Sequence, residues 1–331
     1  MTPLSHRKRI EHTLAGKATD RPPVALWRHF PVDDQDPFCL AAAAQHFQTT
    51  YDFDLIKLTP ASSFCLKDWG STDEWRGNTE GTRDYTTFPI QSPEDWLHLP
   101  VLSPSEEHLA KQLECLKLML KNNAPHTPVL QTIFSPLAQA KNLAGKDTLL
   151  VHLRQFPEAL HEGLRRITET TIAFVQTVVQ SGCDGIFYAI QHAQAQLLSV
   201  EEFNTFGRTY DLQILQAAQP LWLNLAHIHG SNIFFNQITD YPVAILNWHD
   251  RQTSPSLAQA QQIFGGTVCG GIRQWETLVL GTAEQVQAEA IHALQQTDGK
   301  RFILGTGCVV PVTAPHGNIL AARQAVETFH P

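Results

Sequence analysis

Two histidines and a distant cysteine are the residues of this chain whose types and spacing most directly suggest chemistry. His227 and His229 stand one residue apart after the apolar run Leu221-Trp222-Leu223-Asn224-Leu225-Ala226. Cys308 follows Arg301-Phe302-Ile303-Leu304 and the turn Gly305-Thr306-Gly307. Imidazole and thiolate are zinc ligands, and three protein ligands leave a fourth position open to water or substrate, as in catalytic zinc sites. Residues two apart in an extended segment share a side. Both imidazoles can therefore face one ion, and Cys308 can complete the set if its segment lies alongside. A plainer reading stands next to this one. In a chain with 16 histidines, His-X-His pairs also arise by chance as hydrogen-bonded structural residues, and a free cysteine often serves as a small buried apolar side chain.

The elements that must position these residues form a recurring unit, a short apolar run followed by a helical pattern. Eight runs are expected as strands: Pro23 to Leu26, Asp54 to Leu58, Val129 to Ile133, Gly185 to Tyr188, Leu221 to Ala226, Val243 to Leu246, Gly266 to Cys269 and Arg301 to Leu304. Apolar strands alternating with helices indicate a parallel sheet covered on both faces. Eight of them predict a (β/α)8 TIM barrel, a single domain over 1–331 with residues 1–19 as an N-terminal helical extension. Helices are expected over Ser5 to Ala15, Pro104 to Asn122, Pro157 to Gln180, Ser199 to Gln219, Ser256 to Phe264, Thr282 to Gln295 and His316 to Thr328, with Ala41 to Ala44 also reading as helix. Residues 68–99 break the rhythm. Trp69, Trp75, Tyr85, Phe88 and Trp96 lie there among Gly, Thr and Asp, which suggests an insertion after the second strand, a small hairpin that lines a pocket or packs on its own aromatics.

In a barrel of this kind the chemistry sits at the C-terminal ends of the strands. Besides the three candidate ligands, the residues just past each run include Arg28 and His29, Gln191 and His192, Asn247, His249 and Asp250, and Arg273. His249 and Asp250 are the candidate catalytic pair, with Asp250 orienting His249 or a ligand histidine from behind. Arg28, Asn247, Gln191, His192 and Arg273 are the candidate substrate-binding residues, and Arg28 offers a planar fork suited to a carboxylate or sulfonate. Asp184 and Asp240 precede their strands and fall at the opposite end.

Composition excludes several classes. Charged residues make up 17% of the 331 residues and the formal net charge is −8, which argues against nucleic acid as a partner, since phosphate binding needs a concentrated basic surface. The one basic cluster, His6-Arg7-Lys8-Arg9, reads as a helix start with local ion-pair partners. No apolar stretch approaches the roughly 20 residues that span a bilayer, and the N-terminus shows no apolar signal segment. Six cysteines without a Cys-X-X-Cys pair point to a reduced, cytoplasmic protein. There is no phosphate-binding glycine motif and no nucleophile elbow.

Several segments resemble the uroporphyrinogen decarboxylase superfamily: Asp20-Arg21-Pro22-Pro23-Val24-Ala25-Leu26-Trp27-Arg28, Phe53 to Pro60 followed by Lys67-Asp68-Trp69-Gly70, Ser135-Pro136-Leu137, Gly182 to Phe187, and Gly307-Cys308-Val309-Val310-Pro311. The resemblance spans nearly the whole chain in order. It implies a (β/α)8 barrel, often a homodimer, acting on a small-molecule substrate. The metal-free decarboxylases of the superfamily carry a second arginine four residues after the first, an aspartate after the second strand and a tyrosine after the third. Here those positions fall at Val32, near Thr59 and at Phe134. The other branch transfers methyl groups between a corrinoid protein and a thiol, and binds zinc through a His-X-Cys pair and a distant cysteine. His227 and Cys308 match that pattern, and His229 stands where the first cysteine would be. The resemblance thus implies a zinc-dependent methyltransferase with a corrinoid as substrate or on a partner protein. The alternatives are a metal-free carboxy-lyase of tetrapyrrole (heme) biosynthesis, a hydrolysis at the metal, or a non-catalytic barrel that binds a tetrapyrrole or corrinoid.

Overall fold

The structure is a computed structural model and describes residues 3–123 and 126–329. Among the described residues there are nine strands: β1 (Ile56–Leu58), β2 (Thr72–Glu74), β3 (Asp84–Thr87), β4 (Val129–Phe134), β5 (Gly185–Ile190), β6 (Leu225–Ile228), β7 (Ile245–Trp248), β8 (Thr267–Ile272) and β9 (Phe302–Thr306). β1 and β4 to β9 form one parallel sheet in chain order. Every residue in these seven strands is buried, as a parallel sheet covered on both faces requires.

The segment 23–26 closes the ring. Val24 forms a parallel bridge to Leu304. The Ala25 amide donates to Leu304 O at 2.9 Å, and the Leu304 amide to Pro23 O at 2.9 Å. On the other side Asp54 N donates to Val24 O at 2.8 Å, just before β1. The expected (β/α)8 barrel is thus the observed fold, with the N-terminal helix His6–Leu14 and the insertion after the second stave in place.

Several strands start and end later than the apolar runs suggest. The run Leu221 to Ala226 becomes β6 only from Leu225. Asn224 explains the delay. Its Nδ2 donates to Ala218 O and Leu221 O, folding the start of the run into a turn, while its Oδ1 accepts from Ile186 N at 3.1 Å. In consequence His227 lies inside a strand, and β7 likewise runs on through Asn247 and Trp248.

The long helix Pro157–Gln180 has the expected bounds. The expected helix Ser199 to Gln219 is interrupted: Val200–Phe203 and Thr209–Ala217 flank a π-turn at Asn204–Arg208. Pro37–Tyr51 extends the Ala41 to Ala44 signal, capped by Asp36 accepting from Phe38 N and Cys39 N. Pro136–Ala144 and Lys146–Gln155 were not expected. The first of these begins directly after β4, with Ser135 as its N-cap.

In the insertion, β2 and β3 form the expected hairpin, antiparallel with a bulge at Thr72/Asp73. Its aromatics do not gather on one pocket. Trp96 is fully buried, donates through Nε1 to His152 Nδ1, and rests on Gly163 of the long helix, where a Cβ would lie 2.4 Å from the ring. Trp69 donates to Pro100 O. The polar tip crosses the barrel mouth. Thr79 O accepts from Val312 N at 2.7 Å, and Glu80 accepts from Trp275 Nε1 at 3.1 Å and Gln274 Nε2 at 3.3 Å.

The opposite end is held by buried ions. Asp54, with no exposure, accepts from Arg9, Arg21, His6 and Val24 N. Arg9 also pairs with Asp20, and Arg7 with Asp184. The basic N-terminal cluster is therefore a set of structural ion pairs. Among the described residues no helix is long and apolar enough to cross a membrane.

Candidate metal centre

The barrel brings His227, His229, His249 and Cys308 together. One ligating atom from each lies within 4.8 Å of all the others. His227 is the penultimate residue of β6, near its mouth end, and His229 follows just past that strand. His249 follows β7, and Cys308 follows β9. Cys308 reaches the group because Gly307 passes close to its neighbour: a Cβ there would lie 2.7 Å from His249 Cα and 3.0 Å from Trp248 O.

Cys308 Sγ is 3.7 Å from His227 Nε2 and 3.8 Å from His229 Nδ1, and His249 Nε2 is 3.5 Å from His229 Nδ1. With zinc bonds of about 2.0 Å to nitrogen and about 2.3 Å to sulfur, the edges of a tetrahedron are roughly 3.3 Å between nitrogens and roughly 3.5 Å between nitrogen and sulfur, within about 0.3 Å of these three separations. The separations fit a shared ion.

The protonation state fits as well. Asn247 is fully buried and its Nδ2 donates to Cys269 O at 2.9 Å and Thr306 O at 3.0 Å. Its Oδ1 is therefore left to accept, and His227 Nδ1 donates to it at 2.7 Å. That bond places the ring proton on Nδ1 and leaves the Nε2 lone pair facing Cys308. Such outer partners fix ligand tautomer and orientation. Burial, then the neighbouring His229 and His249, holds His227 well below its ordinary pKa. Burial and Lys141 lower His229, and burial lowers His249 to about 4. Burial pushes the Cys308 thiol up to about 11. A divalent cation at that position reverses the last effect, since metal coordination deprotonates a thiol. Replacing Asn247 by Ala is expected to weaken metal affinity about 10- to 100-fold without unfolding the barrel. Competition against a chelator of known affinity measures it, and an unchanged affinity removes Asn247 from this role.

The other expected site residues are distributed differently. His249 joins the four-residue group itself. Asn247 stands behind His227. Asp250 does not bond the His249 ring. Its Oδ1 accepts from Gly271 N at 3.0 Å, tying the loop after β7 to strand β8, and burial raises its pKa to about 6. The Arg28 guanidinium lies over the Phe30 ring, beside Tyr51. Arg273 pairs with Glu289 at 2.7 Å and shares a small pocket with His249. His192 has an unpaired Nδ1 and a pKa lowered to about 3 by burial first, then by the charges of Lys141 and His229, while Gln191 uses its carbonyl to hold Gln194.

Sequence reasoning passed over two lysines. Lys57 lies within β1, and Lys141 sits in the helix after β4, its charge acting on His229. A lysine inside the apolar run Leu55-Ile56-Lys57-Leu58 was the available signal for the first. Nothing in the local pattern marked Lys141.

Comparison with known proteins follows the same line. Two curated relatives from Methanosarcina barkeri are named methylcobamide:CoM methyltransferase MtaA. They are 23% and 24% identical over 248 residues, covering 74% of this chain and 71% of each relative. A solved structure described as a methyltransferase from Methanosarcina mazei superposes with a TM-score of 0.85 at 18% identity, covering 98% of both chains. A B12-independent methionine synthase from Shewanella sp. W3-18-1 superposes with a TM-score of 0.55 at 13% identity, over 88% of this chain and 86% of that one. The family model for uroporphyrinogen decarboxylase (URO-D) matches residues 5–329, nearly everything from the first helix to the last, so this chain belongs to the uroporphyrinogen decarboxylase family.

Proposed function

We propose that the chain is a zinc-dependent methyltransferase that moves a methyl group between a corrinoid-type donor and a thiol. The observation that carries this reading is the convergence of His227, His229, His249 and Cys308 at the barrel mouth. The relatives named as methylcobamide:CoM methyltransferases support the reaction class. The donor would be a corrinoid, free or on a partner protein.

A zinc ion held by these residues would supply the Lewis acidity that lowers a thiol's pKa and makes it nucleophilic. His227, His229 and Cys308 are the ligands. With His229 in place of a second thiolate, less negative charge offsets the ion. Four protein ligands close a zinc site, whereas a catalytic site keeps one position open. His249 is the residue that yields that position. Its ring meets His229 edge-on and bonds Gln252. It lacks the amide lock that holds His227. Once displaced, its imidazole would pass the thiol's proton on toward solvent rather than hold it, as its lowered pKa requires.

Elemental analysis of protein purified without chelator tests the metal, and turnover of methylcobalamin with a panel of thiols tests the reaction. Less than about 0.1 equivalent of zinc, with no gain on adding zinc, sinks the reading, because a site of this donor set binds zinc tightly near neutral pH. The variant His249→Ala is expected to keep near-stoichiometric zinc while losing roughly 10²- to 10⁴-fold in turnover, the range for removal of a general base. Loss of zinc in that variant would make His249 a required ligand instead.

A further inference from the structure

We propose that Lys57 is a specificity-determining residue of this site, holding an oxyanion, carboxylate or sulfonate, on the substrate thiol. This rests on the metal-centred reading above.

Lys57 is 7% exposed and pairs in register with Leu130. Its side chain climbs along the strand toward the mouth: Nζ donates to Thr59 Oγ1 at 3.1 Å, two residues further on, while the Thr59 hydroxyl donates to Lys57 O. Nζ also sits 4.5 Å from the centre of the Phe187 ring. Phe187 in turn stacks on His227, with ring centres 5.5 Å apart and planes 26° apart. The ammonium is thus one ring away from a candidate ligand, and its charge acts on His227, Cys308 and His29.

No carboxylate pairs with Lys57 among the described residues. A buried cation with one neutral hydrogen bond and one ring face is costly to keep. Burial accordingly draws its pKa down to about 7. Lys141, also without a carboxylate partner among the described residues, adds a second cation beside His229. With a divalent ion added, the positive charge rises further. An acidic group on the ligand answers both lysine and metal, and a carboxylate or sulfonate accepts a charge-assisted hydrogen bond from an ammonium.

The test uses the zinc-loaded full chain with two probes of similar size, 3-mercaptopropionate and 3-mercaptopropan-1-ol. Calorimetry measures binding, and methylcobalamin demethylation measures turnover. The wild type is expected to bind the carboxylate probe at least about tenfold more tightly, as a charge-assisted bond allows. Lys57→Met removes that preference, leaves binding of the alcohol within about twofold, and keeps the zinc. Methionine is close in size and removes an unpaired buried charge, so its melting temperature stays equal or rises. Lys57→Gln serves as a second variant with a neutral polar end. A preference that survives in both variants overturns the proposal. So does a wild type that holds zinc and binds the probes equally, and in that case the metal reading stands. A wild type that takes up no zinc overturns both.

Discussion

Replacing Cys308 by Ser is expected to abolish zinc binding, taking the metal content from near one equivalent to below about 0.1 after dialysis. The thiolate would be the only anionic ligand in the proposed set. Its sulfur stands 3.7 and 3.8 Å from two imidazole nitrogens whose rings are held neutral. A serine hydroxyl is shorter, harder and far less acidic, so it leaves three neutral donors around a divalent ion in a buried site. His227→Ala is expected to act alike, because His227 is the ligand whose lone pair is aimed by Asn247. Both losses should exceed the roughly 10- to 100-fold that an outer partner such as Asn247 contributes. Methyl transfer should fall with the metal. The added stability that bound zinc gives the native state should vanish too, so that zinc no longer raises the melting temperature. His192→Ala is the control, since His192 is buried nearby but outside the four-residue group. If Cys308→Ser retains stoichiometric zinc, the ligand assignment is wrong. If His192→Ala loses it, the group is larger than four.

The second large effect lies at the other end of the barrel. Asp54→Ala is expected to cost about 3–5 kcal/mol, the usual penalty for removing one partner from a buried ion network. Asp54 accepts from Arg21 Nη1 at 2.7 Å, Arg9 Nη1 at 2.5 Å, His6 Nδ1 at 2.9 Å and Val24 N at 2.8 Å. Without it two buried guanidiniums lose their shared carboxylate and the closing segment loses its side-chain tie to the start of β1, keeping only the backbone bond from Asp54 N to Val24 O. Against a typical total of about 5–15 kcal/mol, the loss is large, and it appears as a lower denaturant midpoint at unchanged slope. The same network sets the acid limit. Burial alone would raise Asp54, but His6, Arg21 and Arg9 hold it well below the ordinary carboxylate range. Arg9 and the Leu4 amide likewise outweigh burial at Asp20, which falls to about 2. A carboxylate with a depressed native pKa contributes stability that is fully present above its unfolded value, near pH 4, and is lost as pH falls through the native value. The wild type should therefore lose stability between roughly pH 4 and pH 2, and Asp54→Ala should show a flatter profile there. Equal midpoints for the two proteins at pH 7 would dismiss the network as a major stabiliser. Zinc uptake by the folded variant should be unchanged, because the metal candidates sit at the opposite ends of the strands.

The candidate ligands were legible in the sequence because their signal is local and chemical. Histidine at i and i+2 beside an apolar run, and a cysteine after another run, carry donor type and side with them. The eight-run rhythm was legible for a related reason, since parallel strands covered on both faces must be apolar throughout. Side-chain orientation at the strand ends was less legible. Arg28 turns to Phe30 and Tyr51, and Asp250 turns back to Gly271. Those orientations are set by neighbours far away in the chain.

By itself, then, the sequence determined the barrel, the candidate ligand types and the end of the barrel where they lie. The physical cause is periodic burial and intrinsic side-chain chemistry, both of which act over a few residues. Only the tertiary structure decided that His249 joins the group, that Asn247 sits behind His227, and that Lys57 climbs from β1 to the face of Phe187. Each of these depends on the register between strands and on the close pass of β9 to β7 at Gly307. Register arises from packing summed around a closed ring, and no single run of residues encodes it.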